Sequence, residues 1–100
     1  MENENIIRVR LPKGREVFGY VEKLLGAARM TVRCSDGKVR ICKVPGRLLR
    51  KMWIKEGMYV IVEPWEIEHD TKGYIIHKYT PTQVSWLKEK GYLKELEDEF

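Results

Sequence analysis

Cysteine is scarce: Cys34 and Cys42 are the only two in 100 residues, too few for a disulfide framework. They read as reduced, small buried hydrophobes, and their eight-residue offset around Asp36-Gly37 would make them cross-strand neighbours in a hairpin. Long apolar runs are missing as well, which excludes a membrane-spanning helix. The first residues, Met1 to Asn5, lack the basic start and apolar stretch of a secretion signal, so a cytoplasmic address is expected. Serine occurs only at Ser35 and Ser85, neither with a histidine in a nucleophile-activating order. Gly14, Gly19 and Gly26 do not have the spacing of a phosphate-cradling loop. His69 and His77 stand eight apart, outside the close pairs that structural zinc sites use. Glu66, Glu68 and Asp70 alternate like a solvated face rather than a magnesium site. No catalytic residue, metal ligand or cofactor is therefore expected.

Acid is absent from one stretch in particular. Lys38 to Ile54 holds six basic residues, Lys55 follows directly, and no Asp or Glu interrupts them. The net charge of +4 conceals this segregation. Residues 8–55 carry fourteen basic and three acidic side chains, or +11; residues 56–100 carry five and ten, or −5; residues 1–7 add −2. A half-chain so basic points to nucleic acid. A protein-only adaptor acting through the acidic half would leave the basic half unexplained.

One hundred residues suit a single small domain, and 43% apolar with 34% charged residues suits one modest core. Residues 1–15 show no hydrophobic period and read as a flexible arm bearing Arg8, Arg10, Lys13 and Arg15. Residues 16–79 contain five strand signals. Glu16–Leu24 is rich in β-branched and aromatic residues, with Gly19 marking a bend. Arg29–Cys34 alternates, with Met30, Val32 and Cys34 inward. Asp36-Gly37 is a type I′ hairpin signal, so Lys38–Val44 should return with Val39 and Ile41 inward, Lys38 and Arg40 outward, and a bulge near Cys42. Pro45-Gly46 then breaks the chain into a short helical turn. There Arg47, Arg50 and Lys51 share one side, while Leu48 and Met52 anchor the other. Met58–Glu63 is apolar enough for burial on both faces, and Gly73–Tyr79 is the fifth strand. Residues 80–93 open with a capping box, Thr80-Pro81-Thr82-Gln83, and stop at Gly91, a helix that should plug or flank one barrel end. Residues 94–100 read as an acidic, partly apolar tail.

Five such strands mean an all-β sandwich or barrel, and a five-stranded barrel with basic outer positions on strands two and three, a helical turn between strands three and four and a C-terminal helix matches the OB-fold. Its basic outer face would serve RNA, with Trp53 either a stacking platform or a cover over a barrel end. Phe18 and Tyr20, outward on the first strand, are second choices. A single-stranded RNA chaperone of cold-shock type would be the alternative, but it needs several aromatics on strands two and three, which have none. A small hydrolase or metal enzyme on the same barrel lacks its site chemistry.

Four segments, Glu22–Gly37, Val44–Ile54, Val60–Trp65 and Tyr79–Leu93, resemble the archaeal and eukaryotic translation initiation factor 1A family. The likeness runs over residues 16–93, and the spacing of Leu25-Gly26, Arg29, Cys34-x-Asp36-Gly37, Gly46-Arg47 and Trp53-Ile54 carries it. It implies a non-catalytic, monomeric OB-fold factor that binds the small ribosomal subunit at the decoding A site. Such a factor promotes placement of initiator tRNA and mRNA and works with other initiation factors, including the translational GTPase. The family's RNA-contacting positions fall on Arg29, Arg40, Arg47, Arg50, Lys51 and Trp53; Arg33, Lys38 and Lys43 are added from strand parity and charge. Pro45 departs from the basic residue common in eukaryotic members, and His77 from a larger aromatic or apolar residue. The end Leu96-Glu-Asp-Glu-Phe100 loosely resembles the tail by which eukaryotic members engage the GTPase.

Overall fold

The computed structural model describes residues 8–97. Strands β1 (Val17–Gly26), β2 (Arg29–Cys34), β3 (Val39–Lys43), β4 (Tyr59–Pro64) and β5 (Lys72–Lys78) close into a barrel in the order β1-β2-β3-β5-β4. All neighbours are antiparallel except β3 and β5. This is the OB-fold arrangement expected from five short strands and their turns. Helix α1 spans Pro81–Glu89, and a short helix, α2, spans Lys94–Glu97.

β1 is long because it serves both halves of the barrel, pairing with β4 through residues 17–20 and with β2 from Gly19 onward. Gly19 sits where the two pairings overlap. A Cβ there would lie 2.5 Å from Val32 Cγ1 and 2.9 Å from Val62 Cγ2, so only glycine lets the inner walls approach this closely. Val21, Val32, Val60, Val62 and Ile75 fill the interior with both cysteines, which remain free thiols. Burial pushes both thiols above their ordinary range. Cys42 stands opposite Met30 rather than opposite Cys34, so the two are not a cross-strand pair.

A second core lies outside the barrel wall. Phe18, Tyr59 and Ile61 face outward from β1 and β4 and meet Tyr79, Leu87, Leu93 and Leu96. The unbroken apolar run of β4 has this cause: Val60 and Val62 face the barrel, while Tyr59 and Ile61 face the helices. α1 therefore covers the side of the barrel. Its start carries the full capping box, with Thr80 accepting from the Gln83 N–H and Gln83 accepting from the Thr80 N–H. Its end is a Schellman motif: Gly91 takes φ +82°, its N–H donates to Lys88 O, and the Tyr92 N–H donates to Leu87 O. The Tyr92 ring stacks on Trp86 and tilts against Phe18.

Three assignments from sequence change here. Residues 8–15 are fastened rather than free: Val9 and Leu11 pack on the second core, the Tyr79 hydroxyl donates to Arg10 O, and Arg10 pairs with Glu16 at 3.7 Å. Residues 94–97 belong to the folded body, because Leu96 is fully buried. Residues 1–7 and 98–100, the rest of the expected arm and tail, lie outside the described residues. His77 joins the second core because an extra residue, Ile76, lies between the Ile61–His77 and Val62–Ile75 pairs, and its ring meets Tyr79 edge-on at 4.9 Å. Burial, and then the nearby Arg10 charge, lower its pKa and keep it neutral.

The third change concerns the β2–β3 hairpin. A type I′ turn needs positive φ at both central residues, and Asp36 does not have it. Gly37 alone does, at +87°, and its N–H donates to Cys34 O while the Cys34 N–H donates to Lys38 O. The loop therefore has three residues, with glycine at the left-handed bulge position. That one extra residue shifts the register by one and inverts β3: Val39 and Ile41 face solvent, while Arg40, Cys42 and Val44 face inward. The expected bulge near Cys42 is absent from the β2–β3 pairing. The both-positive pattern appears instead at the β1–β2 connection, on Ala27 (φ 53°) and Ala28 (φ 59°).

Arg40 is 2% exposed and is met by a bidentate Asp36, with N···O distances of 3.0 and 2.9 Å, and by the His69 carbonyl at 2.6 Å. Burial works against ionisation of Asp36, but the guanidinium and the Lys38 N–H outweigh it and hold the carboxyl below its ordinary range. A depressed carboxylate pKa stabilises the fold above the unfolded value, about pH 3.9, and that contribution disappears as pH falls through the folded value. Asp36→Asn should therefore lower stability at pH 7 by about 2 kcal/mol, the low side for breaking a buried pair because Asp36 is partly exposed. It should also flatten the loss between pH 4 and 2, both read by urea denaturation. Ala28→Gly should raise stability by about 0.5–1 kcal/mol, because an L-residue strains in the left-handed region; thermal unfolding will show the higher midpoint.

Candidate nucleic-acid interface

Residues 45–54 leave β3 and project from the barrel. Val44 and Pro45 are buried, and Leu48, Met52 and Ile54 are half-buried against the barrel core. Gly46–Leu48 forms a single 3₁₀ turn, held by Leu48 N–H to Pro45 O at 2.9 Å and continued by Lys51 N–H to Leu48 O at 3.0 Å. With one side anchored, Arg47, Arg50 and Lys51 are left exposed on the other, as their spacing requires. Trp53 is 76% exposed, and its carbonyl accepts from Lys78 Nζ at 2.9 Å. Its indole is thus a surface group and does not cover a barrel end.

Beside this projection runs a cleft of about 480 Å³, bounded by Leu24, Gly26 and Ala28 of the β1–β2 turn and by Leu49, Met52 and Trp53. Arg29 forms part of its wall. Leu24 and Leu49 are 45% and 50% exposed here, an apolar lining that the sequence reading did not single out. The missed signal was Leu24 just before Gly26, at the exposed end of β1.

The remaining basic positions divide. Arg29 and Lys43 stand directly opposite each other on the outer face of β2 and β3. Like charges paired across strands cost stability, so this pair favours an external polyanion over internal packing. Arg33 faces outward too, but it pairs with Glu22 at 3.2 Å and lies 5.2 Å over the Tyr20 ring. Lys38 is exposed at the hairpin tip, 3.6 Å from Asp70. Arg40 is not on this face at all: the register shift carries it inward, where it serves the Asp36 pair. Lys43 also lies 5.9 Å over the Trp65 ring, which Lys72 approaches to 5.6 Å. Phe18 is buried in the second core and offers no platform; Tyr20 is half-buried against Tyr59 at 5.1 Å.

The surface that results has one projecting basic turn, one exposed indole, an apolar cleft and a facing Arg29–Lys43 pair. Such a surface holds a phosphate backbone by charge and an unpaired base by contact with an apolar ring. Among the described residues no three His, Cys, Asp or Glu side chains group as metal ligands, and no helix is long and apolar enough to cross a membrane.

Comparison with known proteins gives the same architecture a lineage. The family model described as translation initiation factor 1A / IF-1 matches residues 5–100. Translation initiation factor 1A of Pyrococcus abyssi is 50% identical over 95 residues, covering 95% of this chain and 84% of that protein. The protein of the same name from Methanococcus aeolicus is 52% identical over 93 residues, covering 91% and 89%. The solution structure of translation initiation factor IF-1 from the wolbachia endosymbiont of Brugia malayi superposes with a TM-score of 0.52 at 36% identity, covering 67% of this chain and 79% of that one. On the barrel, the family match and these identities together, the chain belongs to the translation initiation factor 1A / IF-1 family.

Proposed function

We propose that the chain binds the small ribosomal subunit at its decoding A site through rRNA, without catalysing a reaction, and thereby promotes placement of initiator tRNA and mRNA. The observation that carries this reading is the anchored projection at residues 45–54, which exposes Arg47, Arg50, Lys51 and Trp53 together. Arg47, Arg50, Lys51, Arg29 and Lys43 supply charge to phosphates. Trp53 supplies a ring to an unpaired base, an interaction worth about 1–3 kcal/mol per base. Folded RNA is recognised through its backbone and its unstacked bases, which suits a projecting turn better than a helix laid in a groove. Work in the cytoplasm as a monomer, alongside other initiation factors that include the translational GTPase, completes the proposal. In a contact between the GTPase and the acidic segment, Leu96 would take no part, because it is buried in the core, while Glu95 and Glu97 are exposed.

Affinity for isolated small subunits should fall steeply with salt, since each neutralised phosphate releases counterions. The double reversal Arg47→Glu/Arg50→Glu should weaken binding by at least about tenfold and lower the log–log salt slope by about 2. Lys88→Glu/Lys90→Glu, on α1 and its C-cap, should leave both nearly unchanged; equal losses from the two pairs would contradict the assigned face. Chemical footprinting of the subunit should show protection confined to the decoding region. Diffuse protection would favour a general single-stranded RNA chaperone. Trp53→Ala should reduce affinity about tenfold with an unchanged salt slope, because it removes contact and no charge.

A further inference from the structure

Arg40 is the one charged side chain that is buried among the described residues, and docking through the projecting turn does not use it. Its side chain is 3% exposed, too little for a phosphate to reach. What it does reach is two separate loops. The guanidinium holds Asp36 of the β2–β3 hairpin through both carboxylate oxygens, and its Nε donates to the carbonyl of His69, 29 residues further along the chain. Asp36 in turn accepts from the Lys38 N–H at 3.2 Å. A second tie joins the same loops, Lys38 Nζ to Asp70 Oδ1 at 3.6 Å, while Asp70 also meets His69 Nδ1 at 3.1 Å. Hairpin tip and β4–β5 loop are thus one unit, and Lys38 is the cation that this unit presents, with its side chain 45% exposed.

We propose that Arg40 is a positioning residue for small-subunit binding: it touches no RNA itself, but fixes the hairpin tip against the β4–β5 loop so that Lys38 meets the rRNA backbone. The proposal rests on the rRNA-docking reading above and extends it to a second contact at the opposite end of β3 from the projecting turn. A lysine cannot replace the fork. It has no planar pair of donors for the carboxylate and no third donor aimed at the carbonyl.

The deciding variant removes an acid. If only charge mattered, Asp36→Asn would strengthen binding to a polyanion. If Arg40 acts by positioning, Asp36→Asn weakens it. Small-subunit affinity is measured across a salt series at a temperature where circular dichroism shows each variant folded. Arg40→Gln, Arg40→Lys and Asp36→Asn should each weaken binding by about tenfold, as one lost phosphate contact does. In the pair Asp36→Asn/Arg40→Gln the losses should not add, because both groups act through one link. That pair also carries no buried charge, so it serves in place of Asp36→Asn if the single variant fails to fold. Adding Lys38→Gln to Arg40→Gln should cost little more, whereas Lys38→Gln alone should weaken binding and lower the salt slope by about 1.

Tighter binding by Asp36→Asn, or full retention of affinity by Arg40→Lys, would make Arg40 a plain charge and overturn the proposal. Unchanged affinity in every Asp36 and Arg40 variant, with only a lower melting point, would overturn it as well. Arg47→Glu/Arg50→Glu is run alongside. If that pair binds normally the rRNA reading itself fails, whereas loss there with none at Arg40 removes only the positioning role.

Discussion

A guanidinium withdrawn almost wholly from water has to be met by a counter-charge and by acceptors, and the β2–β3 hairpin is built around doing so for Arg40. The opposite register of β3 would bury Val39 and Ile41, now 51% and 37% exposed. Recovering that burial is worth about 1–2 kcal/mol for two partly exposed aliphatic side chains. The same slip would turn Lys43 inward and would expose Cys42 and Val44, now almost wholly buried in the barrel core, so it brings no net gain of apolar burial. A lysine inside the barrel wall has no carboxylate near it, and an unpaired buried charge costs several kcal/mol. Arg40 instead enters at the barrel's end, where Asp36 and the His69 carbonyl close on it. The observed register therefore keeps Cys42 and Val44 in the core and the one buried charge among the described residues paired.

This balance explains which parts of the molecule were legible in the sequence. β2 alternates cleanly, and its inward set of Met30, Val32 and Cys34 is the observed one. The helix start was written in Thr80 and Gln83 and its stop in Gly91, because capping and the left-handed stop are local chemistry. The projecting turn was legible for the same reason, as Leu48 and Met52 are four residues apart on its anchored side. β3 was not. Val39-Arg40-Ile41-Cys42-Lys43 alternates acceptably in either register, and Asp36-Gly37 fits both a two-residue turn and a three-residue turn with a bulge. What separates the two is where the charges end, Arg40 on Asp36 and the His69 carbonyl or Lys43 unpaired in the wall, and the carbonyl lies far along the chain, outside any local pattern. The inversion moved Arg40 off the candidate face and brought Lys43 onto it opposite Arg29.

The fastening of residues 8–15 and 94–97 was hidden for a related reason. A barrel of this size leaves the outer faces of β1 and β4 apolar at Phe18, Tyr59 and Ile61, and those faces need a cover. α1 supplies part of it through Leu87. The rest comes from single apolar residues in segments that otherwise read as polar: Val9 and Leu11 before β1, Leu93 and Leu96 after α1. Sparse residues of this kind have no period. They are recognisable only once the uncovered surface is known, which is why composition placed these segments outside the domain and packing places them within it.

Charge segregation along the chain becomes segregation by element. Most of the basic residues precede β4, while the β4–β5 loop holds Glu66, Glu68 and Asp70 and the α2 region holds Glu95 and Glu97. A polyanion approaching such a molecule meets attraction from one set of elements and repulsion from the other, so the field orients the encounter before any contact forms. The orientation has an internal limit, because Arg33 is paired with Glu22, Lys38 with Asp70 and Lys88 with Glu97. Arg47, Arg50 and Lys51 stand on a turn that contains no acid at all. An uncompensated basic cluster therefore lies on the projecting turn, beside the exposed indole. On the proposed function, steering and contact would fall on the same few residues, which Leu48 and Met52 anchor to the barrel core.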